Sequence, residues 1–475
     1  MPSILELYDS AKIRAIDDAV IAMEAAGFMV DPDYCARGAV LGRQDEQTIL
    51  NNLWLGLAAK GMNVKRADAD TIWSSHPKLT FLLEKELNLP PSPYKTKGKV
   101  DLRAGQRSSD KRALDWIHSR VGDDQTARTI IESIIELRRV RNSVKYLEKF
   151  PRFIGADGFI HPTCGPASDE DDRVGALTGR FGMKLPEGQQ IPKDPKKDRY
   201  LIRRAFVAPP GMKLVVADYT ALEVVILANI CEWLFGDTLL LDLTQPGQDI
   251  HAYNAHRIFG VFLDWRTDSG RRIRDFPDQA LYKSDAELAW YRDLVKAIWY
   301  GLMYGKGSYG FGLSLKDKNG EILGEKKAQE ILDALFQACP SIKKWHAWVA
   351  KHLREHGTIC GLDGREVNYS DLISRGQWGF AAACRGGDNA PMQITGAAVI
   401  GAAMVDAYNS IGLASLGAIM QLQIHDELQW RAPADNASKV AELVNEIMCG
   451  AYPLKNLRCE VKIGDNWAEC KGVKK

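Results

Sequence analysis

Apolar residues recur with helical spacing from residue 11 to about 60, where Ile13, Ile16, Val20 and Met23 share one face, and the run breaks at "GFMVDPDY" (27–34). The segment 89–112, "LPPSPYKTKGKVDLRAGQRSSDKR", has no period and reads as an exposed basic loop; helix returns at 124–149. From 150 the pattern shortens to strands and turns, with an acidic "DEDD" at 169–172. The apolar run "KLVVADY" (213–219) predicts a buried strand, and an apolar helix follows from about 220. Residues 236–404 are predicted mostly helical, broken at Pro246, Pro277, "DKNGE", Pro340 and Pro391. The stretch "LQIHDELQW" (422–430) alternates as one half-buried strand, before a helix near 436–449 and a closing strand in "RCEVKIGDNW".

Composition narrows the class without deciding it. A chain of 475 residues with 45% apolar content supports a packed core and roughly three domains. Lys plus Arg (62) nearly balances Asp plus Glu (61), so any surface for a polyanion is local. Nine cysteines, with no C-x-x-C pair, are expected to be reduced thiols of an intracellular, cytoplasmic protein. The N-terminal residues do not read as a signal peptide, and the most apolar stretch (213–230) holds Asp218 and Glu223, too charged to span a bilayer.

Two places carry chemistry. In 422–430 the adjacent carboxylates Asp426 and Glu427 would be costly to bury without a cation, which the nearby sequence does not supply. A divalent metal meets that need, because hard cations take oxygen ligands and Asp218, at the end of another strand, offers a second carboxylate. A helix cap at 218 or a salt bridge at 426 explains either residue alone. The second place is "RDLVKAIWYGLMYGKGSYGFG" (292–312), in which Arg292, Lys296, Tyr300 and Tyr304 follow at i+4 steps over about 18 Å of one helical face. Two cations then two aromatics suit a nucleoside triphosphate, gripped at one end and stacked at the other. Snorkelling basics and core tyrosines explain any two of the four. The two Tyr-Gly pairs that end the run point instead to close approach by another segment.

The chain resembles the family A DNA polymerases, the bacterial polymerase I type, in three ordered motifs: "DYTALE" from Asp218, "RDLVKAIWYGLMYG" from Arg292 and "QIHDE" from Gln423. Weaker echoes are "TGRFGMKLPEGQQIP" (178–192), "DIHAYNAHRIFG" (249–260), "GLDGRE" (361–366), "RGGDNAPMQITG" (385–396) and "GDNW". The resemblance implies an α+β right-hand polymerase fold: thumb at 1–150 with a first palm segment, palm at 151–235 and 405–475, helical fingers at 236–404. It implies template-directed addition of deoxynucleoside triphosphates to a primer 3′-hydroxyl with two Mg²⁺ ions, Mn²⁺ able to substitute. Asp218, Asp426 and the Tyr219 carbonyl would hold the metals, with Glu427 in support. Arg292, Lys296 and His251 would meet the triphosphate, Lys296 as general acid. Tyr300 would pack on the incoming sugar and base, Tyr304 near the templating base, and Glu223 would exclude a ribose 2′-hydroxyl. Arg180, Arg385, Gln393, His425 and Lys145 would contact primer–template DNA.

Departures are visible too. Ala221 and Val225 replace the family's Gln and Arg, Glu187 stands where Asn is usual, and about thirty residues (261–291) lengthen the approach to Arg292 as an exposed, DNA-facing loop. Only a dozen or so residues precede the thumb, so a 3′–5′ exonuclease is not expected, and Asp285-x-Glu287 reads as a solvated face. The resemblance further implies a monomer without membrane association. A single-subunit RNA polymerase and a catalytically silent DNA-binding homologue are the rivals; Glu223 argues against the first and Lys296 with the intact carboxylates against the second.

Overall fold

The computed structural model describes residues 10–62, 72–94, 107–165, 178–192, 198–303, 305–318 and 321–472. Tyr304, most of the basic loop (95–106) and the acidic run 169–172 lie outside the described residues.

The predicted break at 27–34 separates two helices, α1 (Ser10–Ala26) and α2 (Pro32–Ala59). Asp31 makes the second start, its Oδ1 accepting the Asp33 and Tyr34 N–H groups ahead of Pro32. Helix α2 packs against α3 (Gln125–Lys149), which Asp124 caps through the Ala127 N–H at 3.0 Å. Between them a satellite core forms from Leu53, Leu57, Ile130, Ile131, Ile134 and Leu137 with Trp73 and Leu79.

The main core surrounds one antiparallel five-stranded sheet of order β5-β4-β1-β3-β2. Its members are β1 (Met212–Tyr219), β2 (Ile419–Ile424), β3 (Glu427–Pro433), β4 (Cys459–Gly464) and β5 (Lys471–Gly472). Central strand β1 buries Leu214 to Ala217 on both faces, which explains its unbroken apolar run. It leads into α4 (Leu222–Phe235), then α5 (Ile250–Ala255), α6 (Ala286–Met303), α7 (Gln377–Tyr408) and α8 (Ala437–Gly450). Arg431 on β3 donates to the Gly27 and Ala26 carbonyls at 2.7 and 3.1 Å, satisfying the C-terminus of α1 and tying it to the sheet.

Four expectations are corrected. The stretch 422–430 is not one strand: β2 and β3 are joined by a two-residue turn, His425–Asp426, with Ile424 opposite Glu427 and His425 at φ +54°. Pro391 breaks nothing, because α7 runs through it; 385–408 is mostly buried, and burial outweighs the one lost backbone bond. This is the one helix among the described residues long and apolar enough to cross a membrane, and most of its apolar window lies inside the protein. The segment 261–291 is exposed over much of its length but is no bare loop, since Ile273 and Tyr282 are fully buried and Trp265 lies 4.9 Å from the Phe259 ring. Nor are Asp285 and Glu287 a solvated face. Arg271 binds both at 2.7 Å, and Asp285 caps the start of α6, so its carboxyl falls to about 2 through Arg271. All nine cysteines are free thiols.

Candidate active site

Strand pairing brings the predicted carboxylates together. Asp218 stands opposite Glu427 in the β1–β3 register, and the Tyr219 N–H donates to the Asp426 carbonyl at 3.0 Å. Residues two hundred positions apart thus share one edge of the sheet. Asp218 and Asp426 are half-buried, while the Tyr219 side chain is buried with its hydroxyl donating to Met448 O at 2.8 Å. Tyr219 therefore has only its backbone to offer this edge.

Glu427 is 6% exposed. The neighbouring sequence holds no cation for it, but the fold brings one: Arg203 Nη1 lies 3.9 Å from Glu427 Oε2, and Gln429 Nε2 donates to Oε1 at 2.7 Å. Arg203 lies over the Trp467 ring at 3.8 Å and donates to the Pro192 and Ile191 carbonyls. Burial lowers its pKa, and Glu427, Asp218 and Asp198 oppose that.

A second unforeseen residue holds the turn. Gln189 accepts from the His425 N–H at 3.2 Å and donates to Gln423 O at 3.1 Å; Gln423 Nε2 in turn donates to His425 O at 2.6 Å. This ring of amides fixes an exposed residue in left-handed backbone, right beside Asp426.

The weak motif echoes also converge. Arg180 donates to Glu223 Oε1 at 2.8 Å, so the expected DNA contact is here a salt bridge to the expected ribose gate, whose Oε2 is buried without a partner. Gly179 (φ +78°) lies under Arg365: a Cβ there would meet Nη1 at 1.7 Å. Arg365 reaches Ile394 O at 3.1 Å and Leu362 N–H donates to Thr395 Oγ1 at 2.9 Å, joining "TGR", "GLDGRE" and "MQITG".

Helix α6 carries Arg292, Lys296 and Tyr300 as predicted. Arg292 Nε binds Asp249 Oδ2 at 2.9 Å, and Asp249 caps α5 through the His251 and Ala252 N–H groups. Burial raises the Asp249 carboxyl, but Ala252, Arg292 and Lys283 together hold it below the usual carboxylate range. Lys296 is exposed and Tyr300 partly so. His251 is 6% exposed, 6.2 Å from the Tyr300 ring and 6.4 Å from Trp299. Its Nδ1 has no partner, and burial, opposed by Asp249 and assisted by Arg292 and Lys296, drives its pKa down to about 4. The glycines of the first two Tyr-Gly pairs are close-approach points, since a Cβ at Gly301 would meet Phe311 at 2.4 Å and one at Gly305 would meet Arg385 at 2.5 Å. The turn that follows α6 thus abuts α7 at Arg385, which is exposed, while Gln393 farther along α7 is half-buried. Lys145 stands apart on α3, in a cleft with Arg141, Lys149, Arg152 and Arg43.

Asp249 had a readable signal, an N-cap ahead of "IHAYN"; Gln189 and Arg203 had none, because each acts on a segment more than two hundred residues away. Among the described residues no group of three or more His, Cys, Asp or Glu side chains is set to hold a metal ion. The donors whose backbone the strand pairing sets side by side, Asp218, Asp426 and the Tyr219 carbonyl, are all hard oxygens, a chemistry that fits Mg²⁺ with water completing its shell.

The model of DNA polymerase family A matches residues 60–275 and 282–469. The thermostable DNA polymerase I of Thermus aquaticus is 30% identical over 471 residues, covering 98% of this chain and 49% of that protein. The DNA polymerase I of Chloroflexus aurantiacus is 27% identical over 473 residues, 98% and 44%. The chain spans about half the length of these relatives. Among solved structures, the POL domain of Pol1 from M. smegmatis in complex with DNA primer-template and dNTP superposes with a TM-score of 0.76 at 24% identity, covering 96% of this chain and 70% of that one. This likeness carries the mixed α and β polymerase fold, and the family match takes in the paired strand ends and helix α6 alike. The chain belongs to DNA polymerase family A.

Proposed function

We propose that this chain is a template-directed DNA polymerase that adds deoxynucleotides to a primer 3′-hydroxyl. The observation that supports it most is the β1–β3 register with the Tyr219–Asp426 bond, which joins Asp218 and Asp426 at one sheet edge. The five-stranded sheet is read as the palm, α2 and α3 as the thumb, and α5 to α7 as the fingers.

Asp218, Asp426 and the Tyr219 carbonyl would hold two Mg²⁺ ions, or Mn²⁺ in their place; when bound, these supply positive charge for the oxygens of the phosphoryl centre. The chain's own residues do the rest by position and charge. Arg292 and Lys296 meet the triphosphate, Arg292 held ready by Asp249, and the exposed Lys296 Nζ can give a proton to the leaving pyrophosphate. Neutral His251, with Nδ1 unsatisfied and its ring 6.2 Å from Tyr300, is suited to donate or accept one hydrogen bond beside α6. Tyr300, then Tyr304, would stack on the incoming and templating bases. Glu223, fixed by Arg180, occupies the space a 2′-hydroxyl needs. Arg385, Gln393, His425 and Lys145 would follow the primer–template duplex, their partner together with the deoxynucleotides.

The test is primer extension on a defined template with Mg²⁺, offering deoxy- and ribonucleotides in parallel. Extension with deoxynucleotides that disappears in Asp218→Asn and Asp426→Asn, while the primer–template is still bound, supports the reading. Undiminished turnover in either variant overturns it, and preference for ribonucleotides turns it into an RNA polymerase.

A further inference from the structure

The family model is interrupted at residues 276–281, inside the segment that precedes α6. Residues 279–284, in and just after the interruption, reach the proposed triphosphate end of that helix. Tyr282, with no exposed surface, anchors a short helix, Leu281–Ser284, and Gln279 accepts the Asp249 N–H at 2.6 Å. Beside these anchors Lys283 Nζ reaches Asp249 Oδ2 at 3.2 Å, the same oxygen that Arg292 Nε binds at 2.9 Å. The Lys283 side chain is 63% exposed and that of Arg292 21%.

We infer that Lys283 is a further nucleotide-binding residue, cancelling the excess negative charge that Asp249 and Asp293 place around Arg292 where an incoming triphosphate would bind; this rests on the reading that Arg292 and Lys296 meet the phosphates. Arg292 faces two carboxylates, Asp249 at 2.9 Å and the exposed Asp293 at 3.5 Å, so these three groups carry one net negative charge, which repels the polyanion that the arginine is meant to attract. A second cation on the Asp249 oxygen cancels that charge and leaves Lys296, one turn further along α6, to make the cluster positive. It does so from an exposed side chain that can turn toward the phosphates without uncovering Arg292. The effect acts on binding and not on chemistry, because Lys283 is joined to this end of the site through Asp249 Oδ2. It is also screened by salt, as an exposed charge must be.

Single-nucleotide incorporation on saturating primer–template, at about 0.02 M and about 0.3 M salt, measures this. Lys283→Met is expected to raise KM for the deoxynucleotide about two- to fivefold at low salt, with kcat little changed and the effect largely gone at high salt. Lys283→Arg should restore the wild-type KM. Arg274→Met, whose arginine in the same segment binds Asp264 at 2.8 Å, should leave KM alone. A wild-type KM in Lys283→Met at low salt, or a rise that salt does not reduce and Arg does not rescue, overturns the inference. Arg292→Ala separates the two levels. If it raises KM and Lys283→Met does not, the inference alone falls; if it too leaves KM unchanged, the reading of this end of α6 falls and the inference with it.

Discussion

Substituting Gln189 by Leu should slow catalysis while leaving DNA binding intact. The side chain makes two hydrogen bonds to the backbone of the β2–β3 hairpin, accepting from the His425 N–H at 3.2 Å and donating to the Gln423 carbonyl at 3.1 Å. Leucine fills the same volume and makes neither. Each bond is worth about 1 kcal/mol net, so the turn loses roughly 2 kcal/mol of restraint, close to thirtyfold in its preference for the native arrangement. That loss falls on a residue already in left-handed backbone, His425 at φ +54°, whose carbonyl would still be held by Gln423. A turn so released relaxes, and Asp426 moves with it. A displacement of about 1 Å at a reacting centre costs on the order of 10²-fold in rate. The assay is the pre-steady-state rate of one nucleotide addition, with primer–template affinity and urea stability measured alongside. A rate within about twofold of wild type would refute the positioning role. So would a variant whose only defect is weaker DNA binding, which would make Gln189 a DNA contact instead.

Two further outcomes are expected from the same geometry. Glu223→Ala should raise kcat/KM for ribonucleotides by about ten- to a hundredfold relative to deoxynucleotides, since the carboxylate that Arg180 holds in place is removed; competitive incorporation assays check this. Acid stability should depend on His251, held neutral with a folded pKa of about 4 against about 6.5 unfolded, so the stabilisation is complete above pH 6.5 and up to about 3 kcal/mol is lost as pH falls toward 4. His346 is held down similarly, but Asp388, 3.9 Å from it and raised to about 7, changes in the opposite sense over nearly the same window, leaving His251 uncompensated. Urea midpoints for wild type and His251→Phe at pH 7.5 and 5 test it: equal acid losses in both would exclude the effect.

Much of this fold was legible because local pattern and tertiary role coincide. Strand β1 is apolar without interruption because it is buried on both faces, and α2 starts where Asp-Pro demands it. The hairpin turn was illegible for a simple reason. Leu422, Ile424, Leu428 and Trp430 occupy even positions, and a two-residue turn inserts one full period of the strand alternation, so the pattern passes through it unbroken. Pro391 misled in the other direction, since local propensity cannot register how deeply the rest of α7 is buried. In the site, the motif residues were readable because their spacing is local. Two of the residues that position them were not: Arg203 beside Glu427 and Gln189 at the His425 turn come from other elements, and only folding makes them neighbours.

The charge problem at this sheet edge has two separate solutions, and they explain why one acidic residue there is buried and two are not. Glu427 lies deepest, and it is compensated within the protein by the Arg203 guanidinium and the Gln429 amide. Arg203 can serve because it is itself constrained, donating to two backbone carbonyls and stacked on Trp467, so little further ordering is required to face a carboxylate. Asp218 and Asp426 remain half-buried, in reach of water, and so avoid most of the desolvation cost that Glu427 bears. A metal bound between them therefore does not have to compensate the whole acidic cluster, as it would if Glu427 were unpaired. Under the proposed reading it would act on residues that the fold has already brought together through the Tyr219–Asp426 backbone bond, with the ion contributing to the reaction and Arg203 to the scaffold.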